Sequence, residues 1–189
     1  ILFSNSANAE FACVKSNGLI TKKPVNISHK EAAPICDGFL TSYSFLKDIV
    51  KLQKGQHILI NGASGSLGTA AVQLAKLLGA KVTGVCSTSN IDLVKSLGAD
   101  FVIDYKINDF TKTDDYYDVV FDTTGKTSYG KCKNIMTFNG VFISPVLSIS
   151  VLWNSIFLSK RVKFSATGLR KPKDLKSLLS QLVEFFNQD

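Results

Sequence analysis

His57-Ile58-Leu59-Ile60-Asn61-Gly62-Ala63-Ser64-Gly65-Ser66-Leu67-Gly68 is the stretch that decides the fold. Its apolar run, Ile58-Leu59-Ile60, is too short for a helix and is ended by Asn61-Gly62. It predicts a strand buried on both faces, as strands of parallel sheets are. Beyond the turn, Leu67, Ala70, Ala71, Leu74, Leu77 and Leu78 recur at helical spacing until Gly79 closes the run. In a strand–turn–helix context, G-x-G-x-x-G marks a turn that binds the phosphates of a dinucleotide. The three positions here are Ala63, Gly65 and Gly68, with alanine in place of the first glycine. The first position makes the tight turn, where a methyl group is tolerable. Gly65 lets the backbone approach a pyrophosphate, and Gly68 lets the helix pack close to the strand. The helix N-terminus adds free N–H groups and the positive end of a dipole. A glycine turn that binds nothing is the alternative. A Walker loop is excluded, since no Gly-Lys-Ser/Thr follows.

Outward from this turn the chain alternates strands and helices. Downstream, residues 81–86 predict a strand, and Ile91, Val94 and Leu97 a helix closed by Gly98. Strands follow at 101–105 and 119–122, then a helix at 128–136 and a strand at 141–144. Residues 151–159 favour a helix without excluding a strand, 162–167 alternate as a strand, and 174–186 form an amphipathic helix. Upstream, 1–25 read as irregular or extended, with a short strand at 10–14. Ser28 and Glu31 have capping-box spacing, predicting a helical turn that stops near Pro34. Residues 38–52 predict a helix with Tyr43, Leu46, Ile49 and Val50 on one side. The fold class is α/β, a Rossmann-type doubly wound sheet of six parallel strands.

An acidic residue about 20 positions beyond the glycine turn would bind the ribose hydroxyls of NAD. The corresponding loop is Cys86-Ser87-Thr88-Ser89-Asn90, which has no acid. Its hydroxyls and amide suit a 2′-phosphate, so NADP is expected over NAD. An ordinary polar loop is the alternative reading.

The 189 residues carry a formal net charge of +7, with 45% hydrophobic and 20% charged residues. That composition belongs to a globular chain with a core. The excess charge is lysine spread along the chain; Arg161 and Arg170 are the arginines. No basic stripe with interleaved aromatics appears, so nucleic-acid binding is not expected. Cys13, Cys36, Cys86 and Cys132 form no CxxC pair, His29 and His57 stand apart, and no metal site is expected. No apolar run reaches the length of a membrane span. Free thiols and the lack of a visible signal peptide give a cytoplasmic expectation.

Ordered segments carry a resemblance to the medium-chain dehydrogenase/reductase superfamily. They are Pro24-Val25-Asn26-Ile27-Ser28, Glu31-Ala32-Ala33, Gly38-Phe39-Leu40-Thr41, the turn at 62–68 and Val72-Gln73-Leu74-Ala75-Lys76. Leu97-Gly98-Ala99-Asp100, Val102-Ile103-Asp104-Tyr105 and Asp118-Val119-Val120-Phe121-Asp122 with Gly125 follow. Within the superfamily the chain resembles the zinc-independent quinone oxidoreductase group, the zeta-crystallin-like enzymes. The resemblance implies an NADPH-dependent reductase of quinones or α,β-unsaturated carbonyls, working as a homodimer through edge strands near 162–167. It implies that Ala63, Ser64, Gly65, Ser66 and Leu67 hold the pyrophosphate. Ser87 and Tyr105, with Thr88 and Asn90 nearby, would take the 2′-phosphate, Ser89 or Asn90 replacing a basic residue. Thr41, Thr124, Gly125, Phe142 and Ile143 would border the nicotinamide. Residues 1–25 would be a remnant of the catalytic domain, and 26–189 the NADP-binding domain of a longer enzyme.

No catalytic residue is singled out. Asp104 and Asp122 fall at strand ends, where they are expected to stabilise loops or touch ribose. A short-chain dehydrogenase would need Tyr-x-x-x-Lys, a spacing that Tyr129 and Lys133 match, but the order of the other motifs argues against it. A non-catalytic scaffold or NADPH sensor of the same fold is the alternative function.

Overall fold

The computed structural model describes residues 10, 11, 13, 22–146 and 161–164. The helices expected at 151–159 and 174–186 and the last three residues of the strand at 162–167 lie outside these. Glu10, Phe11 and Cys13 are not in a strand, which corrects the expectation at 10–14.

The chain enters through α1 (His29–Ala32), whose Ser28–Glu31 capping box is formed in both directions. A 3-10 turn at Ala33–Cys36 accommodates Pro34, so the helical path bends there instead of stopping. Helix α2 (Gly38–Tyr43) then widens into a π-helical turn at Ser44–Ile49. Lys51, at φ 52°, breaks it before the position expected from periodicity.

The sheet follows: β1 (His57–Asn61), α3 (Ser66–Leu77), β2 (Lys81–Cys86), α4 (Ile91–Ser96), β3 (Phe101–Asp104) and β4 (Tyr117–Asp122). Then come α5 (Tyr129–Cys132), β5 (Met136–Ser144) and β6 (Val162–Phe164). The six strands are all parallel, in the order β3-β2-β1-β4-β5-β6. This is the doubly wound arrangement expected, and the order reverses between β1 and β4.

Every residue of β1 is buried, as the unbroken apolar run requires. Strand alternation divides it between two cores. Ile58 and Ile60 join Phe45, Leu46, Val72 and Phe121 on one face; Leu59 joins Val120, Tyr129, Ile135 and Phe142 on the other.

The helix expected at 128–136 is a single α turn and a 3-10 turn, after which β5 already begins at Met136. Tyr117 pairs with Met136 while Val119 pairs with Val141. Residues 137–140 therefore bulge from the sheet, which leaves Phe138 exposed. Thr137 Oγ1 pins the bulge by donating to Asp118 Oδ1 at 3.1 Å.

Candidate functional site

Ligands of doubly wound sheets bind beyond the carboxyl ends of the strands, where the order reverses. Here the loops after β1 and β4 meet at that place. Asn61 Nδ2 donates to Asp122 Oδ1 at 2.9 Å and to Thr124 Oγ1 at 3.2 Å. Asp122 is fully buried and also accepts from Thr124 N, Thr124 Oγ1 and Thr127 N. It stabilises the loop, one of the two roles expected for it.

The glycine-rich turn is built as its residue types demand. Gly62 has φ +80°, and a Cβ there would lie 2.4 Å from Thr124 Cγ2. A Cβ on Gly68 would lie 2.1 Å from Gly62 O and 2.7 Å from Ala63 Cα, so the helix can approach only without a side chain. Ala63 is fully buried, and its methyl is accommodated because the facing residue of β2 is Gly84, whose Cβ would come within 3.0 Å of it. Ala63 N and Gly62 N both donate to Val85 O, at 2.9 and 3.1 Å.

Gly65 differs from these. Its φ of −81° is open to any residue, and the nearest atom to a Cβ would be Gly62 O at 3.4 Å. Packing does not demand glycine there, yet Gly65 faces a cavity. Helix α3 starts immediately after it with no side chain capping its N-terminus. The first-turn N–H groups of Ser66 and Leu67 thus sit at the cavity wall.

The cavity has a volume of about 1110 Å³ and collects residues from four loops. Ser64, Gly65, Ser66 and Leu67 come from the turn after β1, and Ser87 and Asn90 from the loop after β2. Tyr105 begins the segment after β3, and Thr124 lies after β4. These eight expected residues are brought together. Six are not in the wall. Thr41 is buried in α2, and Ala63 is buried in the core. Thr88 turns its hydroxyl to Asp104 Oδ2. Gly125 packs on Val146, to which a Cβ would come within 2.6 Å. Phe142 and Ile143 are 0% exposed, with side chains in opposite cores.

Residues 106–111 line the cavity along with Tyr105, as do Asn61, Lys126, Thr127 and Lys131. Apart from Asn61, which opens the glycine-rich turn, none of these was expected. Their one sequence signal is position, directly after a strand on the side where ligands bind.

The wall offers backbone N–H groups, hydroxyls, amides and the three ammonium groups of Lys106, Lys126 and Lys131 against the two carboxylates of Asp37 and Asp109, a balance that favours an anionic ligand. Asp104 lies beside the wall but is 5% exposed. The Thr88 hydroxyl, and then the Lys106 N–H, hold its carboxyl below the usual range. Burial, reinforced by Asp104, pushes the Cys86 thiol up, so it lines the cavity as a neutral group. Among the described residues no three His, Cys, Asp or Glu side chains cluster so as to hold a metal, and no helix is long and apolar enough to cross a membrane.

Comparison with known proteins agrees with this geometry. The family model described as zinc-binding dehydrogenase matches residues 66–184. The chain is 33% identical over 171 residues to a 2-methylene-furan-3-one reductase of Solanum lycopersicum, covering 87% of this chain and 44% of that protein. It is 31% identical over 189 residues to a chloroplast envelope quinone oxidoreductase homolog of Arabidopsis thaliana, covering 93% and 57%. Among solved structures, CurK enoyl reductase superposes with a TM-score of 0.75 at 25% identity, covering 89% of this chain and 54% of that one. The chain spans about half the length of the curated relatives it matches.

Proposed function

Because the chain belongs to the zinc-binding dehydrogenase family, in the zinc-independent quinone oxidoreductase-like group of the medium-chain dehydrogenase/reductase superfamily, we propose that it forms the NADPH-binding part of an oxidoreductase. The substrates proposed are quinones or α,β-unsaturated carbonyls, the chemistry named for its relatives.

Gly65 carries the reading. It is a glycine that neither backbone conformation nor packing requires, on a cavity wall, at the uncapped start of a 12-residue helix. A pyrophosphate accounts for it, since a side chain would stand where the phosphates meet the N–H groups of Ser66 and Leu67. Ser64 Oγ accepts from Asn90, so its own hydrogen is left to donate to the ligand. When bound, a nicotinamide cofactor supplies the hydride; the chain supplies binding and orientation.

Thermal unfolding of the intact protein with NADPH and with NADH tests this. A ligand at 100 times its Kd stabilises by about 2.7 kcal/mol. Stabilisation by NADPH, together with NADPH oxidation on adding quinones or enones, supports the proposal. No shift with either cofactor overturns it, and binding without turnover of any quinone or enone overturns the enzymatic part.

A further inference from the structure

The ends of β2 and β3 lie side by side. Cys86 is in register with Asp104, and Tyr105 N donates to Cys86 O at 3.1 Å. The loop after β2 is poor in free donors. Asn90 Nδ2 donates to Ser64 Oγ and Ser87 Oγ, both at 3.1 Å, so both amide hydrogens are used. Thr88 gives its hydroxyl hydrogen to Asp104. Ser87 and Ser89 share one hydrogen bond at 3.2 Å, which leaves one hydroxyl hydrogen between them. A neutral loop with a single spare side-chain donor does not balance a phosphate monoester, which carries about −1.5 to −2 charges at neutral pH.

Lys106 stands where that balance is missing. It is exposed, it lines the cavity with Ser87, Asn90 and Tyr105, and it forms no ion pair among the described residues. Asp104 is buried, is not in the wall and accepts the Lys106 N–H at 2.9 Å, though its carboxylate also feels the Lys106 charge; Asp109, the carboxylate in the wall beside Lys106, is taken up by Thr111 N and Oγ1 and by Lys112 at 3.6 Å. Lys126 and Lys131 also line the cavity, but they follow β4, and β1 separates that strand from β2.

We infer that Lys106 is the residue that selects a 2′-phosphorylated dinucleotide, its ammonium taking the phosphate beside the spare hydroxyl of Ser87 or Ser89. This rests on the dinucleotide reading of the cavity. It relocates the selecting charge from the loop after β2 to the segment after β3.

The test is titration of the intact protein and its Lys106→Ala, Lys106→Arg and Lys126→Ala variants with NADPH, NADH, 2′-AMP and 5′-AMP. Lys106→Ala is expected to weaken NADPH and 2′-AMP by about 10- to 100-fold, the range of a charge-assisted phosphate contact. NADH and 5′-AMP binding stays unchanged, and Lys106→Arg keeps the preference. Equal weakening of NADPH and NADH, or an equal change of their ratio in Lys126→Ala, overturns the inference. An unaltered protein that prefers NADH overturns it while leaving a dinucleotide site in place. An unaltered protein that binds none of the four nucleotides overturns both readings.

Discussion

Asn90 Nδ2 lies 3.1 Å from Ser64 Oγ, which ties the loop after β2 to the glycine-rich turn after β1. The contact is between neutral groups and orients Ser64 without touching charge. Asn90→Ala is therefore expected to weaken NADPH and NADH alike, leaving their ratio as it was. Calorimetric titration with both cofactors checks this, and a selective loss of NADPH would assign Asn90 the role given to Lys106.

Two glycines three residues apart separate packing from ligand contact. Gly68→Ala forces a methyl group to 2.1 Å from Gly62 O, and the turn and α3 must move apart. Overpacking of this kind costs about 1–3 kcal/mol or more. Gly65→Ala meets nothing nearer than 3.4 Å. It should change stability by no more than about 1 kcal/mol, as N-cap replacements do, and yet abolish tight cofactor binding. Urea unfolding of both variants, paired with NADPH titration of Gly65→Ala, checks the contrast. Unimpaired binding by that variant would remove Gly65 from the site.

Asp122 is fully buried and receives four hydrogen bonds, from Asn61, twice from Thr124, and from Thr127. Asp122→Ala leaves these donors unmatched and should destabilise by about 3 kcal/mol. Asp122→Asn retains one carbonyl oxygen and should lose less. Chemical denaturation ranks the two, and faster amide exchange at 123–127 in the alanine variant would locate the damage.

His57 should give the fold a pH dependence at the end of the sheet away from the cavity. Burial, then Lys81, holds its imidazole below the ordinary value of 6.5, while Asp115, Asp118 and Asp100 act weakly the other way. The unfolded chain binds the proton first as pH falls. The contribution is thus fully present above about pH 6.5 and is lost as pH drops toward the lowered folded value. Denaturation midpoints measured between pH 7 and 5 should fall for the unaltered protein and fall less for His57→Gln. Parallel curves would show that the ring is not responsible.

Where one residue pattern mapped to one conformation, the fold was legible. Residues 81–86 form β2 over the expected span, and the glycine turn sits between β1 and α3. Where long-range contacts override local pattern, it was not. The π-helical turn has no periodicity of its own; Val50 N bonds to Phe45 O, and Lys163, distant in sequence, caps Ile49 O at 2.8 Å. The strand was expected to begin at Val141, yet pairing of Met136 with Tyr117 draws its start back to Met136. In the site, the turn was legible because its glycines answer to backbone geometry and close helix packing, which residue type alone announces. Lys106 was not, because a lysine in a polar loop looks like any solvated charge until the sheet sets it beside Ser87.

Gly38 opens α2 with its Cα so near α3 that a Cβ would lie 2.8 Å from Ser66 O, and Ser42 Oγ donates to Leu67 O at 2.9 Å. Four residues apart on α2, these two contacts fall on the first two residues of α3. Truncation has to respect that: a piece that starts at β1 would strip the outer support from the glycine-rich turn and delete Phe45, Leu46 and Leu52, uncovering Ile60, Val72 and Phe121, which pack in the same core. The smallest fragment able to carry this cavity begins upstream of Gly38.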